Sequence, residues 1–267
     1  MEKTKIILVT SCKGGVGKST ITANLGLALA RSGHRTLLVD CDFGNRCLDL
    51  ILGSENEMIY DISDVCEGRA EINEAAVTDR RSSNLLSIAA PYLAPEQHDF
   101  SVPDREVFRS KLFAAGESMN LDYILIDTPG ALGAPLELAA SAADRALIVS
   151  THHPTALRAA DGTASALSSL GITECSMIIN SFDPDSVLHG NRAGVIEMID
   201  RAALGIIGVI PYDPVFAIGG EHGELVYQLK CRNVIAAFNN IAARLSGETV
   251  PLFTGFKGIK RKKLLKR

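Results

Sequence analysis

The sequence lacks several features that define other classes of protein. It has no tryptophan, and aromatic residues make up only 5% of its 267 residues, which argues against a nucleic-acid surface built on base stacking. No apolar run reaches the roughly 18 residues that a membrane-spanning helix needs, and the first residues do not resemble a signal peptide. We therefore expect a protein that acts in the cytoplasm.

Paired cysteines are also absent. None of the six cysteines forms a C-x-x-C pair, the spacing from which zinc and iron–sulfur sites usually draw ligands. A chain of this length buries a core large enough to fold without disulfides, so we expect reduced thiols. They are Cys12, Cys41, Cys47, Cys66, Cys175 and Cys231.

Charge is distributed unevenly along the chain. The segment 251–267 contains seven basic residues and no acidic one, whereas the rest holds 20 basic against 31 acidic residues, a formal charge of −11. This asymmetry predicts that the tail contacts an anionic surface. Taken alone, it leaves a lipid surface and a nucleic acid equally open.

The apolar pattern alternates between strand-like and helix-like stretches. This alternation predicts an α/β fold with a mostly parallel, twisted sheet and helices on both faces. We expect a single domain over residues 1–246, followed by a flexible linker and basic tail over 247–267. The expected strands are 5–10, 35–40, 85–89, 123–127, 146–150, 175–180 and 206–210, and the expected helices are 19–32, 105–119, 136–142, 155–170, 192–204 and 234–245.

A glycine-rich segment between the first predicted strand and helix has the form of a phosphate-binding loop. Its glycines allow backbone amides to turn toward phosphate oxygens, Lys18 reaches the β- and γ-phosphates, and the Ser19 hydroxyl can ligate Mg²⁺. Cys12 replaces the first glycine of the general motif, and we expect strain there if that position needs a positive φ. The binding residues are Gly14, Gly15, Val16, Gly17, Lys18, Ser19 and Thr20.

Carboxylates follow two of the predicted strands. Asp40 and Asp42 are two residues apart at the end of one strand, so we expect both to point to the same face at the sheet's carboxyl edge. The apolar run 124–126 leads to Asp127, in the manner of a Walker B strand that places a carboxylate near the magnesium ion.

The run K-G-G-V-G-K-S-T at residues 13–20 resembles the deviant Walker A motif of the MinD/ParA ATPase family. The resemblance implies an ATP- and Mg²⁺-dependent ATPase that forms a homodimer in the ATP state. It further implies that Lys13 acts on the partner's phosphates as an arginine finger does. Asp42 then positions the attacking water, and Ser19, Asp40 and Asp127 serve the metal.

The same resemblance assigns the adenine contacts. Asn180 matches the family's base-reading asparagine, and Pro211, Tyr212 and Asp213 match its adenine-side loop. An amide offers both a donor and an acceptor, which suits a purine edge. Taken alone, an asparagine in the position of Asn180 is more often a turn residue at the end of a strand.

The segment 42–69 resembles the members of this family that position the bacterial division septum. That likeness implies a MinC-like division inhibitor and a MinE-like activator as partners, with the surface around Arg158 and Asp161 as a candidate binding site. It also implies that the tail binds anionic membrane lipid reversibly at the inner face of the cell membrane. Cys47 and Ala159 depart from the family pattern. The predicted membrane-binding residues are Phe253, Phe256, Ile259, Lys260, Lys263 and Leu264.

Two other functions within the family stay open. One is a ParA-type DNA-partitioning ATPase, which the acidic body makes less favourable. The other is a MinD-like regulator of flagellar number, which also carries a membrane-binding tail. We expect no sequence-specific contact with nucleic acid. Iron–sulfur relatives need cysteines after the Walker B strand, and residues 128–143 contain none.

Overall fold

The computed structural model describes residues 3–92 and 102–252. Within these residues, eight strands form one sheet in the order β3-β4-β2-β5-β1-β6-β7-β8. All neighbouring strands are parallel except β3 and β4, which confirms the predicted fold class. The strands are β1 (Lys5–Thr10), β2 (Thr36–Asp40), β3 (Val77–Thr78), β4 (Leu85–Ile88), β5 (Tyr123–Asp127), β6 (Arg145–Ser150), β7 (Cys175–Phe182) and β8 (Gly205–Pro211).

Helices cover both faces of the sheet, as expected. They are α1 (Lys18–Arg31), α2 (Leu48–Leu52), α3 (Ile62–Cys66), α4 (Ile72–Ala75), α5 (Arg105–Ser118), α6 (Ala134–Ala142), α7 (Pro154–Ser169), α8 (Pro184–Leu188), α9 (Val195–Ala202), α10 (Pro214–Glu221) and α11 (Arg232–Leu245). A 3₁₀ turn spans Val226–Gln228. No helix of the described residues is long and apolar enough to cross a bilayer.

The central strand β1 shows how the sequence builds two apolar cores. Side chains alternate between the faces of a strand, so Ile6 and Leu8 pack with α5, α6, α7 and α9, whereas Ile7 and Val9 pack with α1 and α11. All four are at most 1% exposed. Burying each such side chain contributes about 1.5–3 kcal/mol, which fixes β1 and the loop that follows it.

Some boundaries differ from those predicted. The helix expected from residue 192 begins at Val195, after Gly194 in extended backbone. The short helices α2, α3, α4 and α8 have four or five residues each, too few for a helical period to be visible in the sequence. Local capping marks some of them; Asp61, for example, accepts bonds from the amides of Ser63 and Asp64. The predicted tail residues 253–267 lie outside the described residues.

Candidate active site

The phosphate-binding loop joins β1 to α1 at the carboxyl edge of the sheet. Gly15 and Gly17 adopt left-handed φ values of 74° and 91°, which glycine reaches without steric cost. Among the described residues, no acceptor takes a hydrogen bond from the amides of residues 14 to 20. These amides and the positive end of α1 therefore form a cradle for an anion, and Lys18, only 8% exposed, lies at its edge.

Cys12 fits this loop without the strain expected for it. It is not one of the described residues with a positive φ. Its amide instead donates to Thr163 Oγ1 on α7 at 3.1 Å. Position 12 therefore does not need glycine, and its amide links the phosphate loop to α7 by a hydrogen bond.

Asp127 ends β5 directly beside the start of α1. Its Oδ2 accepts from Ser19 Oγ at 2.5 Å, and its Oδ1 accepts from Thr22 Oγ1 at 2.9 Å. The sequence named Ser19 as a site residue, for the metal, but did not name Thr22. Thr22 lies one helical turn after Lys18, and its position four residues from the motif lysine is the only signal that the sequence offers.

Asp40 and Asp127 lie opposite one another in the register of β2 and β5. Burial and the neighbouring charge of Asp127 raise the pKa of Asp40 to about 8. Burial also raises the pKa of Asp127 to about 6, although the hydroxyls of Ser19 and Thr22 and the charge of Lys18 oppose the rise. A cation placed between such carboxylates stabilises their charged forms.

The donors at this point are carboxylate and hydroxyl oxygens, which are the ligands that Mg²⁺ prefers. In the part of the chain that the structure describes, no group of three or more His, Cys, Asp or Glu side chains could hold a metal by itself. Mg²⁺ at phosphate sites normally keeps several waters and phosphate oxygens. Ser19 and the two aspartates therefore fit the protein's share of a magnesium site.

Asp40 also fixes the loop that carries Asp42. Its Oδ1 accepts from the Asp42 amide at 2.8 Å, and its Oδ2 accepts from the Leu48 amide at 3.1 Å. Asp42 is 7% exposed, and both of its carboxylate oxygens accept from Asn45 Nδ2, at 3.1 and 3.2 Å. Asn45 was not predicted, because only the turn brings its amide to the carboxylate.

Lys13 does not point into its own cradle. Its Nζ donates to Thr155 Oγ1 at 2.9 Å, near the start of α7. The loop after β5 packs against the phosphate loop beside Lys13. A Cβ at Gly130 would lie 3.1 Å from the Gly14 amide nitrogen and 3.2 Å from the Gly14 Cα. Glycine at 130 therefore allows the two loops to touch.

A cavity of about 290 Å³ lies beside the phosphate cradle, between β7, β8 and α10. The predicted adenine residues meet there. Asn180 Nδ2 donates to the Val16 carbonyl at 2.9 Å, and Asp213 caps α10 through the amide of Val215 at 2.9 Å. The lining residues are Gly17, Thr20, Asn180, Ser181, Pro211, Tyr212, Asp213, Phe216, Ala217 and Gly220.

Four lining residues were not predicted as nucleotide contacts: Ser181, Phe216, Ala217 and Gly220. The last three lie on α10, and the sequence signal for that helix is Pro214 directly after the capping Asp213. The candidate partner residues Arg158 and Asp161 are exposed on α7. No contact of the described residues tests their role.

A phosphate cradle, two strand-end carboxylates and an adjoining base-sized cavity on a parallel α/β sheet define a P-loop nucleoside triphosphatase. The ParA family model, described as NUBPL iron-transfer P-loop NTPase, matches residues 2–246. The chain is 38% identical to the septum site-determining protein MinD of Synechocystis, over 92% of this chain and 91% of that protein. The chain belongs to the MinD/ParA family of P-loop ATPases.

Solved structures agree with this placement. The MinC:MinD cell division complex of Aquifex aeolicus matches with a TM-score of 0.85 and 36% identity, over 93% of this chain and 98% of that one. MinD of Pyrococcus horikoshii in complex with Mg-ADP matches with a TM-score of 0.74 and 25% identity, over 91% and 96%.

The protein is an ATPase that uses ATP and Mg²⁺. Mg²⁺, when held beside Ser19, Asp40 and Asp127, would offset charge on the phosphates. Lys18 and the loop amides are placed to hold phosphate oxygens, and Ser19 donates to Asp127 beside them. Asp42, fixed by Asn45 and Asp40, lies on the same edge and can orient a water for attack.

Proposed function

We propose that this protein dimerises on binding ATP, attaches reversibly to the inner face of the cell membrane through its C-terminal tail, and helps to position the division septum. In this proposal it recruits a MinC-like inhibitor, and a MinE-like activator accelerates ATP hydrolysis. Hydrolysis separates the dimer and releases it from the membrane.

The observation that carries the proposal is the placement of Lys13. Lys18 and seven amides already serve the protein's own phosphate cradle, whereas the Lys13 amine extends to Thr155. Beside it, a Cβ at Gly14 or Gly15 would meet nothing within 4 Å. This open side allows a second copy to bring its phosphates to Lys13, where a positive charge assists phosphoryl transfer.

The sequence of the tail supports membrane attachment. Each of its seven bases contributes about 1 kcal/mol near an anionic leaflet, less at physiological salt. Ordering the tail opposes this gain, so one tail is a weak anchor. Two tails on one dimer bind together, and their combined avidity links ATP-driven dimerisation to membrane residence.

Recruitment of a MinC-like inhibitor is supported by the Aquifex MinC:MinD complex, because that MinD chain is 36% identical over nearly its full length. The DNA-partitioning alternative has weaker support. The matching plasmid partition protein from Borrelia burgdorferi is 20% identical and shares the fold, and the body of this chain is acidic.

Sedimentation with anionic liposomes tests the proposal. We expect the full chain to sediment with MgATP but not with MgADP, and deletion of residues 255–267 to abolish sedimentation while ADP affinity is unchanged. Lys13→Ala should also lose ATP-dependent sedimentation, whereas the exposed control Lys230→Ala should keep it. Unchanged liposome binding after the deletion contradicts the proposal. ATP-dependent retardation of DNA by the tail-deleted protein favours partitioning instead.

A further inference from the structure

A second cavity, of about 520 Å³, lies at the carboxyl edge of the sheet outside the nucleotide site. It is bounded by the β6–α7 connection and by the segment that leads into α9. Its volume is in the range of about 300–1,000 Å³ typical of small-molecule sites. The polar lining residues are His152, His153, Asn191, Arg192, Glu197 and Arg201.

A buried histidine, His152, and an exposed arginine, Arg192, meet in the wall of this cavity. His152 is 4% exposed and packs on the Phe182 ring, with centroids 5.9 Å apart. Arg192 Nη1 donates to His152 Nε2, so Nε2 carries no proton and Nδ1 carries one. Burial and the charge of Arg192 lower the pKa of His152 to about 4, which keeps the ring a neutral acceptor that orients the guanidinium.

Apart from the bond between the two side chains, the described residues give the donors of this pair no hydrogen-bond acceptor. His152 Nδ1 is buried and has no hydrogen-bond partner among the described residues. Within the described chain, no carboxylate lies within 4 Å of the Arg192 guanidinium. Asp183 is the nearby acid, but its carboxylate accepts from Ser186 Oγ and from amides at the start of α8.

The remaining charges of the cavity balance one another. Glu197 is the only acid in its lining, and its Oε1 lies 2.5 Å from Arg201 Nη2. Arg192 is therefore the lining charge that has no ion pair within 4 Å among the described residues, although the charge of Asp183 acts on it from farther away. Its N–H groups other than the one bonded to His152 suit an anion with several oxygens. An arginine oriented by a buried ring loses less side-chain entropy on binding than a mobile one.

We propose that this cavity binds a phosphate group, with the Arg192 guanidinium as its principal donor and His152 as the residue that positions Arg192. The volume left beyond a phosphate accommodates the organic part of a small phosphomonoester. The site is distinct from the nucleotide site, although both use the end of β7. Asn180 lines the adenine cavity, Phe182 supports His152, and Ser181 between them has a φ of 52°.

Titration calorimetry on the full chain saturated with MgADP tests the proposal, because the phosphate loop is then already filled. The probes are inorganic phosphate, glycerol phosphate and, for a carboxylate, acetate, all at constant ionic strength. We expect saturable binding of at least one phosphate probe, together with a shift of the His152 ring signals in ¹⁵N NMR. Binding of glycerol phosphate alone identifies a monoester site, and binding of both phosphate probes identifies a site for the bare group.

Variants separate this site from general charge effects. Because charge-assisted hydrogen bonds are the strong ones, Arg192→Gln should weaken phosphate binding by about tenfold or more. Arg192→Lys should give an intermediate loss. Arg232→Gln removes an exposed arginine on α11, on the other face of the sheet, and should change nothing. Equal binding by wild type and Arg192→Gln, saturation by acetate alone, or no saturable binding overturns the proposal.

Discussion

Replacing Gly130 with alanine tests whether contact between the β5–α6 loop and the phosphate loop supports catalysis. The new Cβ would lie 3.1 Å from the Gly14 amide nitrogen, 3.2 Å from its Cα and 3.3 Å from the Lys13 carbonyl carbon. All three are backbone atoms and cannot rotate away as a side chain can. Gly130 does not have a positive φ, so alanine adds no backbone strain and acts purely through this contact.

Overpacking of this kind costs about 1–3 kcal/mol. If the two loops separate to relieve it, the cost appears as a fall in ATP affinity or turnover of about 5- to 150-fold, since 1.4 kcal/mol is tenfold. ATP affinity by a fluorescent analogue and steady-state phosphate release measure the two effects. The control is Gly162→Ala in α7, where the Cβ meets nothing within 4 Å. Wild-type affinity and turnover in Gly130→Ala would show that this reasoning is wrong.

Three further predictions concern the nucleotide site and a fourth concerns the second cavity. Thr22→Val removes the hydroxyl that donates to Asp127 Oδ1 at 2.9 Å. Chemical denaturation should therefore show a loss of about 1–3 kcal/mol in the free energy of unfolding. An unchanged denaturation midpoint would show that this hydrogen bond does not stabilise the fold. Asp42→Asn should lower turnover by about 10²- to 10⁴-fold while ATP affinity stays within a factor of a few, measured by phosphate release and analogue binding. Protonation of Asp127, whose pKa is raised to about 6, competes with Mg²⁺ binding. The factor by which Mg²⁺ increases ADP affinity should therefore be smaller at pH 5.5 than at pH 7.5. An equal factor at both pH values would contradict this. Because the pKa of His152 is lowered to about 4, its NMR signals should stay those of a neutral ring at pH 5, and a midpoint near 6.5 would refute its burial against Arg192.

The sequence was sufficient to predict the parts of the site that depend on local pattern. The phosphate loop has fixed spacing between one strand and one helix, and Asp40, Asp42 and Asp127 each follow an apolar strand. In a parallel sheet, strand ends meet at one edge wherever the strands lie. These residues could therefore be brought together without knowledge of the strand order.

The rest of the site depends on contacts that the pattern does not encode. Thr22 matters because the order β2-β5-β1 places Asp127 beside α1. Asn45 reaches Asp42 only through a turn in which Arg46 takes a φ of 43°. The pairing of His152 with Arg192 joins residues 40 apart in the chain, and each is unremarkable in its own segment.

The two hydrogen bonds of Asp40 have a consequence for how substitutions at this position can be tolerated. One carboxylate spans the loop from the Asp42 amide to the Leu48 amide while facing Asp127. Asparagine could accept only one of those amides, because its other terminal group is a donor. Metal affinity and the shape of the loop that carries Asp42 therefore cannot be adjusted independently through residue 40. We expect changes in turnover rate to arise from positions farther along that loop.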